Sequence, residues 1–403
     1  MNTKQKNIRN DFYLLKHNKV VYFDNAASAL KPKQVAKTIN NYYVKLGTNA
    51  SRGVYKLAYD VTTLYENSRE SIAKFINCNV NEVVFTKGAT DSLNMVATSY
   101  GLNNLKAGDE IITSSLEHHS SILPWLEVAK KTGAVIKYVP LDNSARITVQ
   151  NFKTVCSSKT KVVALTHVSN VMGYITPVKE ICKIAHSFGA IVIIDGAQSV
   201  PHLKIDVKDL DCDFFAFSMH KICGPSGVGV LYGKYDLLDN MPPVEVGGGM
   251  IEDVVSGEAT YKEAPFKFEA GTPIIAGVIG IKTAIDYINN LSYDYINKTG
   301  EELKDYLFTK LKELKNITIY NNGADIPLVT FNIDGVHPHD AASVYDSYNI
   351  CVRAGHHCAK PLMDYLGQTA TIRASLYFYN TKEEIDKFIV ATKAVQEFFN
   401  EIK

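Results

Sequence analysis

The chain has 403 residues, of which 46% are hydrophobic and 21% charged, as is usual for a folded globular protein. Its 43 Lys and Arg residues balance 42 Asp and Glu residues, which argues against nucleic acid as a partner. No apolar run approaches the roughly 20 residues that span a bilayer, and the polar first 19 residues lack the apolar stretch of a signal peptide. We therefore expect a cytoplasmic protein with no membrane partner.

The seven cysteines predict neither a disulfide framework nor a zinc knuckle. Their number is odd, their spacing is irregular and no C-x-x-C pair occurs. We expect most of them to pack as small buried hydrophobic residues.

The first part of the chain predicts an amphipathic helix over residues 1–20 and a short strand over 20–23. From residue 83 onward, strands alternate with helices, which predicts a mostly parallel sheet covered on both faces. The segment 228–232 follows strand 214–217 after only a short turn, so we expect these two strands to pair antiparallel. The other predicted strands of this part are 83–85, 110–113, 135–139, 162–165 and 191–194.

The second half of the chain has a different rhythm. Residues 240–273 are rich in glycine and proline and predict a long irregular segment of functional or interface character. A helix over 274–291 then leads into a smaller α+β region. We expect three parts: a helical segment 1–20 packed on the small domain, a large domain 21–290, and a small domain 291–403.

The last predicted helix has a clear beginning. Thr381 and Glu384 form the spacing of a capping box, in which each side chain satisfies a free N–H group of the other residue's backbone. The apolar residues that follow at helical spacing predict one buried face. They are Ile385, Phe388, Ile389, Val395, Phe398, Phe399 and Ile402.

Two of the predicted buried strands, 191–194 and 214–217, lead directly into reactive side chains. Asp195 follows the first strand, and Lys221 lies just beyond the second. Ligands of open α/β sheets bind at the carboxyl ends of the strands, so we expect both side chains to face one crevice. A lysine and an acid suit pyridoxal phosphate, which needs a Schiff-base lysine and an acidic partner for its ring nitrogen. A plain salt bridge would account for these two residues equally well.

Polar groups also follow other predicted strands. The turn 88–90 precedes a helix and predicts either an anion site or a simple helix cap, and Ser218 and His220 would add phosphate donors. His118, the first of two adjacent histidines, could stack on a cofactor ring or lie on the surface. Asn170 could reach the same crevice or support a turn.

The segment 353–361 is the most unusual loop of the chain. Cys358 lies between histidines and a lysine on a loop with an early glycine, which favours a reactive nucleophile over a structural thiol. The density of His and Cys also admits a metal site, although no second group of ligands lies nearby in sequence. Arg373 could bind a carboxylate through two parallel hydrogen bonds, or form a surface ion pair.

Taken in order, these motifs resemble the SufS-type cysteine desulfurases, which belong to the class V aminotransferase group of fold-type I pyridoxal-phosphate enzymes. The resemblance runs from Val21 to the last helix. It implies an α/β fold, in which a large domain has a mostly parallel seven-stranded sheet and a smaller α+β domain follows. The motifs are D-N-A-A-S at 24–28, E-H-H-S at 117–120, T-H-V-S-N at 166–170, D-G-A-Q at 195–198, S-M-H-K at 218–221, F-E-A-G-T-P at 268–273 and R-A-G-H-H-C-A at 353–359.

The resemblance implies a role for each matching residue. Lys221 would bind pyridoxal 5′-phosphate covalently, Asp195 would contact the ring nitrogen and Gln198 the phenolic oxygen. His118 would stack on the ring and transfer protons. The phosphate would be held by Ala89, Thr90, Ser218 and His220, and by Thr272 from the second subunit of a homodimer.

For the substrate, L-cysteine, the resemblance implies that Arg373 and Asn170 hold the carboxylate. Arg353 and Ala27 would also line the substrate site. Asn170 would contact the cofactor as well. Cys358 would accept the sulfur as a persulfide, leaving alanine, and pass it to an acceptor protein for iron–sulfur cluster assembly.

Four positions depart from the family pattern. Ser51 stands where relatives often have histidine, Ala89 where some have threonine, and Met219 and Cys223 where glycine and tyrosine are common. We interpret Cys223 as a packing residue.

The segment V-H-P-H-D at 336–340 resembles the Gram-positive branch of the family, whose acceptor is the zinc protein SufU. This favours a SufU-like over a SufE-like acceptor, with His339 as a residue that replaces a zinc ligand of the acceptor. A histidine at a helix start is the alternative.

Other functions remain open on sequence grounds. A selenocysteine lyase or a cysteine sulfinate desulfinase would share the cofactor but depend less on Cys358. A non-catalytic scaffold would not bind the cofactor, and a histidine–cysteine metal protein would carry stoichiometric metal.

Overall fold

The structure is a computed structural model that describes residues 3–17, 19–51 and 53–401. Residues 1, 2 and 18 of the predicted helix 1–20, and Ile402 of the predicted apolar face, lie outside these ranges. The strands are β1 Val21–Tyr22, β2 Val83–Thr86, β3 Glu110–Ser114, β4 Val135–Val139, β5 Thr160–Thr166, β6 Ile191–Asp195, β7 Phe214–Ser218, β8 Gly229–Gly233, β9 Ile251–Val255, β10 Glu258–Tyr261, β11 Ile317–Ile319, β12 Leu328–Ile333, β13 Ile350–Cys351, β14 Arg353–Gly355 and β15 Thr371–Ser375.

The helices range from one turn to more than five. None of them, within the described residues, has the length and apolar character needed to cross a membrane. They are α1 Thr3–Arg9, α2 Tyr13–His17, α3 Lys33–Asn41, α4 Lys56–Ile76, α5 Ala89–Val96, α6 Leu102–Asn104, α7 His119–Thr132, α8 Val149–Val155, α9 Val178–Ser187, α10 Val207–Leu210, α11 Tyr235–Asn240, α12 Ile275–Leu291, α13 Tyr293–Lys312, α14 Pro338–Ser347, α15 Lys360–Tyr365 and α16 Lys382–Glu401.

The central sheet has seven strands in the order β2-β8-β7-β6-β5-β3-β4. Only β8 runs antiparallel to its neighbours, so the sheet is mostly parallel and the expected pairing of β7 with β8 is confirmed. Alternate residues of the strands enter two separate cores, because each face of the sheet is covered. On β6, for example, Val192 and Ile194 pack into one core and Ile193 packs into the other.

The parallel strands bring their carboxyl ends to one edge of the sheet. In the register of β6, Asp195 lies beside Thr166 of β5 and beside Ala216 of β7. The residues that follow Ser218 on β7 therefore continue next to Asp195. This edge is where the crevice was expected.

A second sheet, in the order β11-β12-β15-β14, lies in the C-terminal part of the chain. Its core includes Phe331, Tyr345 and Phe388. Strand β1 pairs with β13, and Val21 and Phe23 pack into this same core. The start of the chain is thus connected to the C-terminal sheet rather than only to the large one.

The first residues differ from the single expected helix, because the chain breaks between α1 and α2. The break turns Phe12 inward, where its ring packs on Tyr287, Phe378 and Tyr379. From α1, Arg9 donates to the Tyr379 carbonyl and pairs with a Glu384 oxygen at 2.8 Å. The segment thus contacts both α12 and C-terminal residues, and its buried apolar residues belong to the core of the large sheet.

Two details of the later elements were also expected differently. The segment 240–273 is not wholly irregular, since β9 and β10 form an antiparallel hairpin of exposed residues.

The capping box of α16 is confirmed: Thr381 N donates to Glu384 Oε2 at 3.0 Å and Glu384 N donates to Thr381 Oγ1 at 3.2 Å. Phe398 was wrongly placed in the buried face, because α16 extends beyond the core there and leaves this ring 52% exposed.

A buried ion pair anchors the end of that segment to the large sheet. Arg69 of α4 is 1% exposed and pairs with Glu269 at 2.7 Å and with Glu66 at 2.8 Å. Glu269 also accepts a hydrogen bond from the Phe85 backbone of β2 at 2.8 Å. Replacing Arg69 leaves a carboxylate in this site without its counter-charge.

We expect Arg69→Met to lower the free energy of unfolding by about 3 kcal/mol, because it removes one partner of a buried pair. Urea denaturation followed by circular dichroism measures this loss. The matched control is Lys74→Met, which removes the exposed Lys74–Glu70 pair of the same helix and should change stability by less than about 0.5 kcal/mol. Equal effects of the two substitutions would contradict the structural role of the buried pair.

Candidate active site

A cavity of about 310 Å³ opens at the carboxyl edge of the large sheet and is closed on its other side by residues of the C-terminal part. It brings together all but one of the site residues that the sequence analysis identified. These are Ala27, Ala89, Thr90, His118, Asn170, Asp195, Gln198, Ser218, His220, Lys221, Arg353, Cys358 and Arg373.

The exception is Thr272. In the same chain it lines a different cavity, of about 570 Å³, together with Ser51, Tyr65 and Glu269. Thr272 and Ser51, at one of the positions that depart from the family pattern, therefore lie together and away from Lys221. This location agrees with the expectation that Thr272 does not serve the site of its own chain.

Asp195 and Lys221 form the charged floor of the cavity. The Asp195 carboxylate is buried and accepts a hydrogen bond from Ala197 N at 2.9 Å. Burial raises the pKa of Asp195, while the nearby Lys221 charge lowers it. Burial lowers the pKa of Lys221 to about 8, although Asp195 acts in the opposite direction. A substantial fraction of Lys221 is thus a neutral, nucleophilic amine near pH 8.

His118 is held in one protonation state. It is the N-cap of α7, where its Nδ1 accepts a hydrogen bond from Ser120 N at 3.1 Å. Burial and the nearby charges of Lys221 and His119 lower the pKa of His118 to about 3. The ring is therefore neutral with its proton on Nε2, because Nδ1 is an acceptor.

The far end of the cavity suits an anion. Helix α5 begins at Ala89, whose N–H group donates to Ser218 Oγ at 2.8 Å, and Thr90 adds a hydroxyl. Strand β8 closely approaches this turn: a Cβ atom on Gly229 would lie 2.4 Å from the Cα of Gly88. Only glycine fits there, and the helix N-terminus with its free N–H groups and nearby hydroxyls is the usual cradle of a phosphate.

Two arginines share a single carboxylate. Arg353 donates to Asp24 at 2.9 Å and Arg373 donates to it at 3.3 Å, so one positive charge remains in excess. Arg373 also donates to the Asn170 carbonyl at 2.9 Å, and its Nε is a buried donor without a partner in the described residues. Burial lowers the pKa of Arg373 to about 10. A small carboxylate ligand would supply the missing charge and acceptor.

Cys358 is exposed on a loop with a fixed backbone. Both His357 and Cys358 adopt left-handed conformations, with φ of 52° and 54°. The carbonyl of His357 accepts from Asn170 Nδ2 at 2.9 Å, and the carbonyl of Cys358 accepts from His119 N at 2.7 Å. These contacts tie the loop to the ends of β5 and the start of α7. The loop is thus held by hydrogen bonds at both residues, and these bonds offset the conformational cost of its backbone.

The histidine and cysteine residues of this loop do not form a metal centre in the described part of the chain. No group of three or more His, Cys, Asp or Glu side chains there has the arrangement of a metal site. His119 Nε2 accepts from Lys360 N at 3.1 Å, and His356 Nδ1 accepts from Cys358 N at 3.2 Å. Both rings therefore serve the backbone of the loop.

Sequence reasoning missed two acidic residues. Asp24 occurs in a quoted motif, but its pairing with two arginines depends on residues more than 300 positions away. Glu117 precedes the two histidines and is buried, where Ser114 Oγ and Ser121 Oγ donate to it at 2.7 and 2.8 Å. Burial raises the pKa of Glu117 to about 7. The two serines that lie three positions before and four positions after Glu117 were the sequence signal for a buried, hydrogen-bonded carboxylate.

Two further side chains behave as packing and linking groups. Cys223 is fully buried, as expected of a packing residue. Gln198 donates from Nε2 to the Ala26 carbonyl at 2.6 Å and so links the end of β6 to the D-N-A-A-S segment.

A mostly parallel α/β sheet, with a lysine and a buried aspartate lining one cavity beside an anion-binding helix start, defines a class of pyridoxal-phosphate enzymes. The chain belongs to the family described as Aminotransferase class-V, whose model matches residues 21–388. It is similar to proteins named "Probable cysteine desulfurase". One from Halalkalibacterium halodurans is 50% identical over 95% of each chain, and one from Staphylococcus epidermidis is 44% identical over 98% of this chain and 97% of the relative.

Solved structures agree with this assignment. The chain resembles the cysteine desulfurase CsdA from Escherichia coli with a TM-score of 0.91 and 37% identity, over 98% of each chain. It resembles the apo cysteine desulfurase from Thermococcus onnurineus with a TM-score of 0.93 and 40% identity, over 97% of this chain and 98% of that chain. The expected fold class and the expected membership of the class V aminotransferase family are therefore confirmed.

We expect Lys221 to react with pyridoxal phosphate with a pH midpoint near 8, since burial favours its neutral amine. Cofactor-free protein would be mixed with the aldehyde at pH 6.5 to 10.5, reduced with borohydride and mapped by peptide mass spectrometry. Ordinary lysines, with a pKa of about 10.4, provide the internal control. A midpoint at Lys221 equal to that of the exposed lysines would contradict the assignment.

Proposed function

We propose that the chain is a pyridoxal-phosphate-dependent cysteine desulfurase that converts L-cysteine to L-alanine and transfers the sulfur to Cys358. The observation that carries the proposal is the exposed thiol of Cys358 at a cavity whose floor holds Lys221 and Asp195. When bound, the cofactor supplies an electron sink for the charge that develops at the substrate Cα.

The residues of the cavity fit this cofactor. Lys221 has an amine that is partly neutral near pH 8, and Asp195 is a buried acid for the ring nitrogen. His118 offers a neutral ring for stacking, and Gln198 lies beside Asp195 for the phenolic oxygen. The phosphate would be bound by the N-terminus of α5 with Ala89 and Thr90, and by Ser218 and His220.

The chain's own groups have the following roles in the reaction. Arg373 and Arg353 bind the carboxylate of L-cysteine, and Asn170 orients Arg373 through its carbonyl. Lys221 acts as the base that removes the Cα proton, for which a pKa of about 8 is well placed. His118 transfers a proton through Nε2.

Cys358 completes the transfer as a thiolate nucleophile. Its sulfur bonds to the substrate sulfur while the bond between that sulfur and Cβ breaks. The electron pair of the broken bond stays with Cβ, which takes up a proton. Cα regains the proton that Lys221 removed, so the products are alanine and a Cys358 persulfide. The ordered backbone at Cys358 supports this role, because it holds the thiol at the mouth of the cavity.

The proposed division into domains suits this reaction, because residues of both domains line the cavity. We retain a large domain 21–290 that binds the cofactor, a small domain 291–403 that carries Cys358, and the segment 1–20 packed on the latter. The cavity lies between contributions from both domains, so the substrate would be enclosed by residues of each.

A homodimer would complete the site. Thr272 lines a cavity that does not include Lys221, and exposed apolar side chains occur close in sequence to the residues that line it. A second copy would cover these side chains and bring Thr272 to the phosphate of its partner. The apolar residues are Tyr55, Tyr59, Val246, Val254, Val255, Tyr261 and Phe266.

The acceptor of the sulfur would be a SufU-like zinc protein rather than a SufE-like protein, in a cytoplasmic pathway of iron–sulfur cluster assembly. His339 supports this choice, since it is exposed at the start of α14 beside the Cys358 loop. A Cβ atom on Gly355 of that loop would lie 3.6 Å from His339 Nε2. A zinc ligand here could reach an acceptor docked over Cys358.

We expect Cys358→Ser to retain the bound cofactor but to lose at least 100-fold in alanine formation from L-cysteine, since the nucleophile is removed. Cofactor absorbance and alanine release measure the two effects separately. Cys156→Ser, a half-buried cysteine outside the cavity, is the matched control and should behave as wild type. Full activity of Cys358→Ser with selenocysteine or cysteine sulfinate, but not with L-cysteine, would favour those alternative substrates.

We expect His339→Ala to abolish the stimulation of alanine formation by a zinc-loaded SufU-like protein, measured as the ratio of rates with and without the acceptor. The reason is that the variant cannot replace a zinc ligand of the acceptor. His337→Asn is the control, because asparagine keeps a capping side chain at the start of α14. Stimulation that survives in His339→Ala would count against the SufU-like partner.

A further inference from the structure

Lys31 does not line the cavity, but it is connected through Ser28 to His220 at the phosphate end of the site. Lys31 Nζ donates to Ser28 Oγ at 2.7 Å and to the Ala29 carbonyl at 2.7 Å. Ser28 Oγ in turn lies 3.3 Å from Nδ1 of His220, which lines the cavity. None of the motif roles described above uses Lys31 or Ser28.

The direction of these hydrogen bonds follows from which groups can donate. An ammonium group only donates, so the Ser28 oxygen is the acceptor from Lys31 and its own proton is left to be donated. Two acceptors are within reach of that proton: the His220 carbonyl at 3.3 Å and His220 Nδ1 at 3.3 Å. The carbonyl already accepts from Ala29 N at 3.0 Å and lies 3.4 Å from Lys31 Nζ. Both lone pairs of the carbonyl oxygen thus have other donors, so we assign the Ser28 proton to Nδ1.

The state of the His220 ring agrees with an acceptor at Nδ1. Burial, together with the charges of Lys221 and Lys31, lowers the pKa of His220 to about 4, so the ring is neutral near pH 7. A neutral imidazole carries one proton. With Nδ1 as acceptor, that proton is on Nε2. This is the ring nitrogen that remains available to a ligand in the cavity.

We propose that Lys31 is a positioning residue, which acts through Ser28 to fix the Nε2–H tautomer of His220 as a hydrogen-bond donor to the phosphate group of the cofactor. The proposal rests on the proposed cofactor and adds two residues to its recognition. A histidine in the other tautomer would present a lone pair to the phosphate, and the two acceptors would repel each other.

The experiment compares two aldehydes that differ only in the phosphate. Cofactor-free wild type, Lys31→Met and Ser28→Ala would be titrated with pyridoxal phosphate and with pyridoxal, and binding would be followed by absorbance. We expect both variants to weaken the binding of pyridoxal phosphate by about tenfold, the value of one hydrogen bond, and to leave the binding of pyridoxal unchanged. The matched control is Lys37→Met, an exposed lysine of α3, which should bind both as wild type does.

A second readout is independent of the cofactor. The ¹⁵N shifts of the His220 ring in the cofactor-free protein report its tautomer, and we expect Nε2–H in wild type and a mixture of tautomers in Lys31→Met and in Ser28→Ala. Unchanged binding and an unchanged tautomer in Lys31→Met would overturn the proposal. Equal weakening of both aldehydes would also overturn it, because it would indicate a general structural effect.

The proposed cofactor and the proposed role of Lys31 can be refuted separately. Wild-type protein that binds neither aldehyde would refute the proposed cofactor. Wild-type protein that binds pyridoxal phosphate, with a Lys31→Met variant indistinguishable from it, would refute only the role of Lys31. If Lys31→Met does not fold, Ser28→Ala gives the same comparison, because it removes the donor to Nδ1 directly.

Discussion

The electrostatic interaction between Asp195 and Lys221 is the constraint on which the rest of the site depends. Both groups lie where two parallel strands end side by side, and burial penalises the charge of each: it raises the pKa of Asp195 and lowers that of Lys221. Each charge partly offsets the cost of the other. The balance leaves an amine that is reactive near pH 8.

The small C-terminal part adds the remaining chemistry to this edge of the sheet. Arg373 lies on the second sheet and Cys358 on the loop after its strand β14, and hydrogen bonds to residues at the edge of the large sheet fix their positions. Asn170 contributes to both, since its amide holds the His357 carbonyl and its own carbonyl accepts from Arg373. The thiol and the carboxylate-binding arginine are thus held relative to one strand end, which reduces the entropic cost of bringing them to a substrate.

The predicted strands of the large sheet agree with the structure because their apolar runs are short and β-branched or aromatic, and all of them except β4 are largely buried. The misses have physical causes. The predicted helix over 1–20 is interrupted where Phe12 packs on three aromatic rings, a long-range contact that local spacing does not reveal. The β9–β10 hairpin was missed because its residues are exposed and carry no alternation toward a core. Phe398 has helical spacing, yet no element covers that end of α16.

The sequence by itself determined the family, the cofactor chemistry and the thiol, because residue types at fixed local spacing suffice to identify a turn, a strand end or a reactive loop. Only the tertiary structure decided which residues share a charge or a proton. Asp24 pairs with arginines more than 300 residues away, and Ser28 contacts His220 across 192 positions. It also separated Thr272 from the other site residues. Such contacts depend on how the two sheets pack together, and local spacing carries no information about that packing.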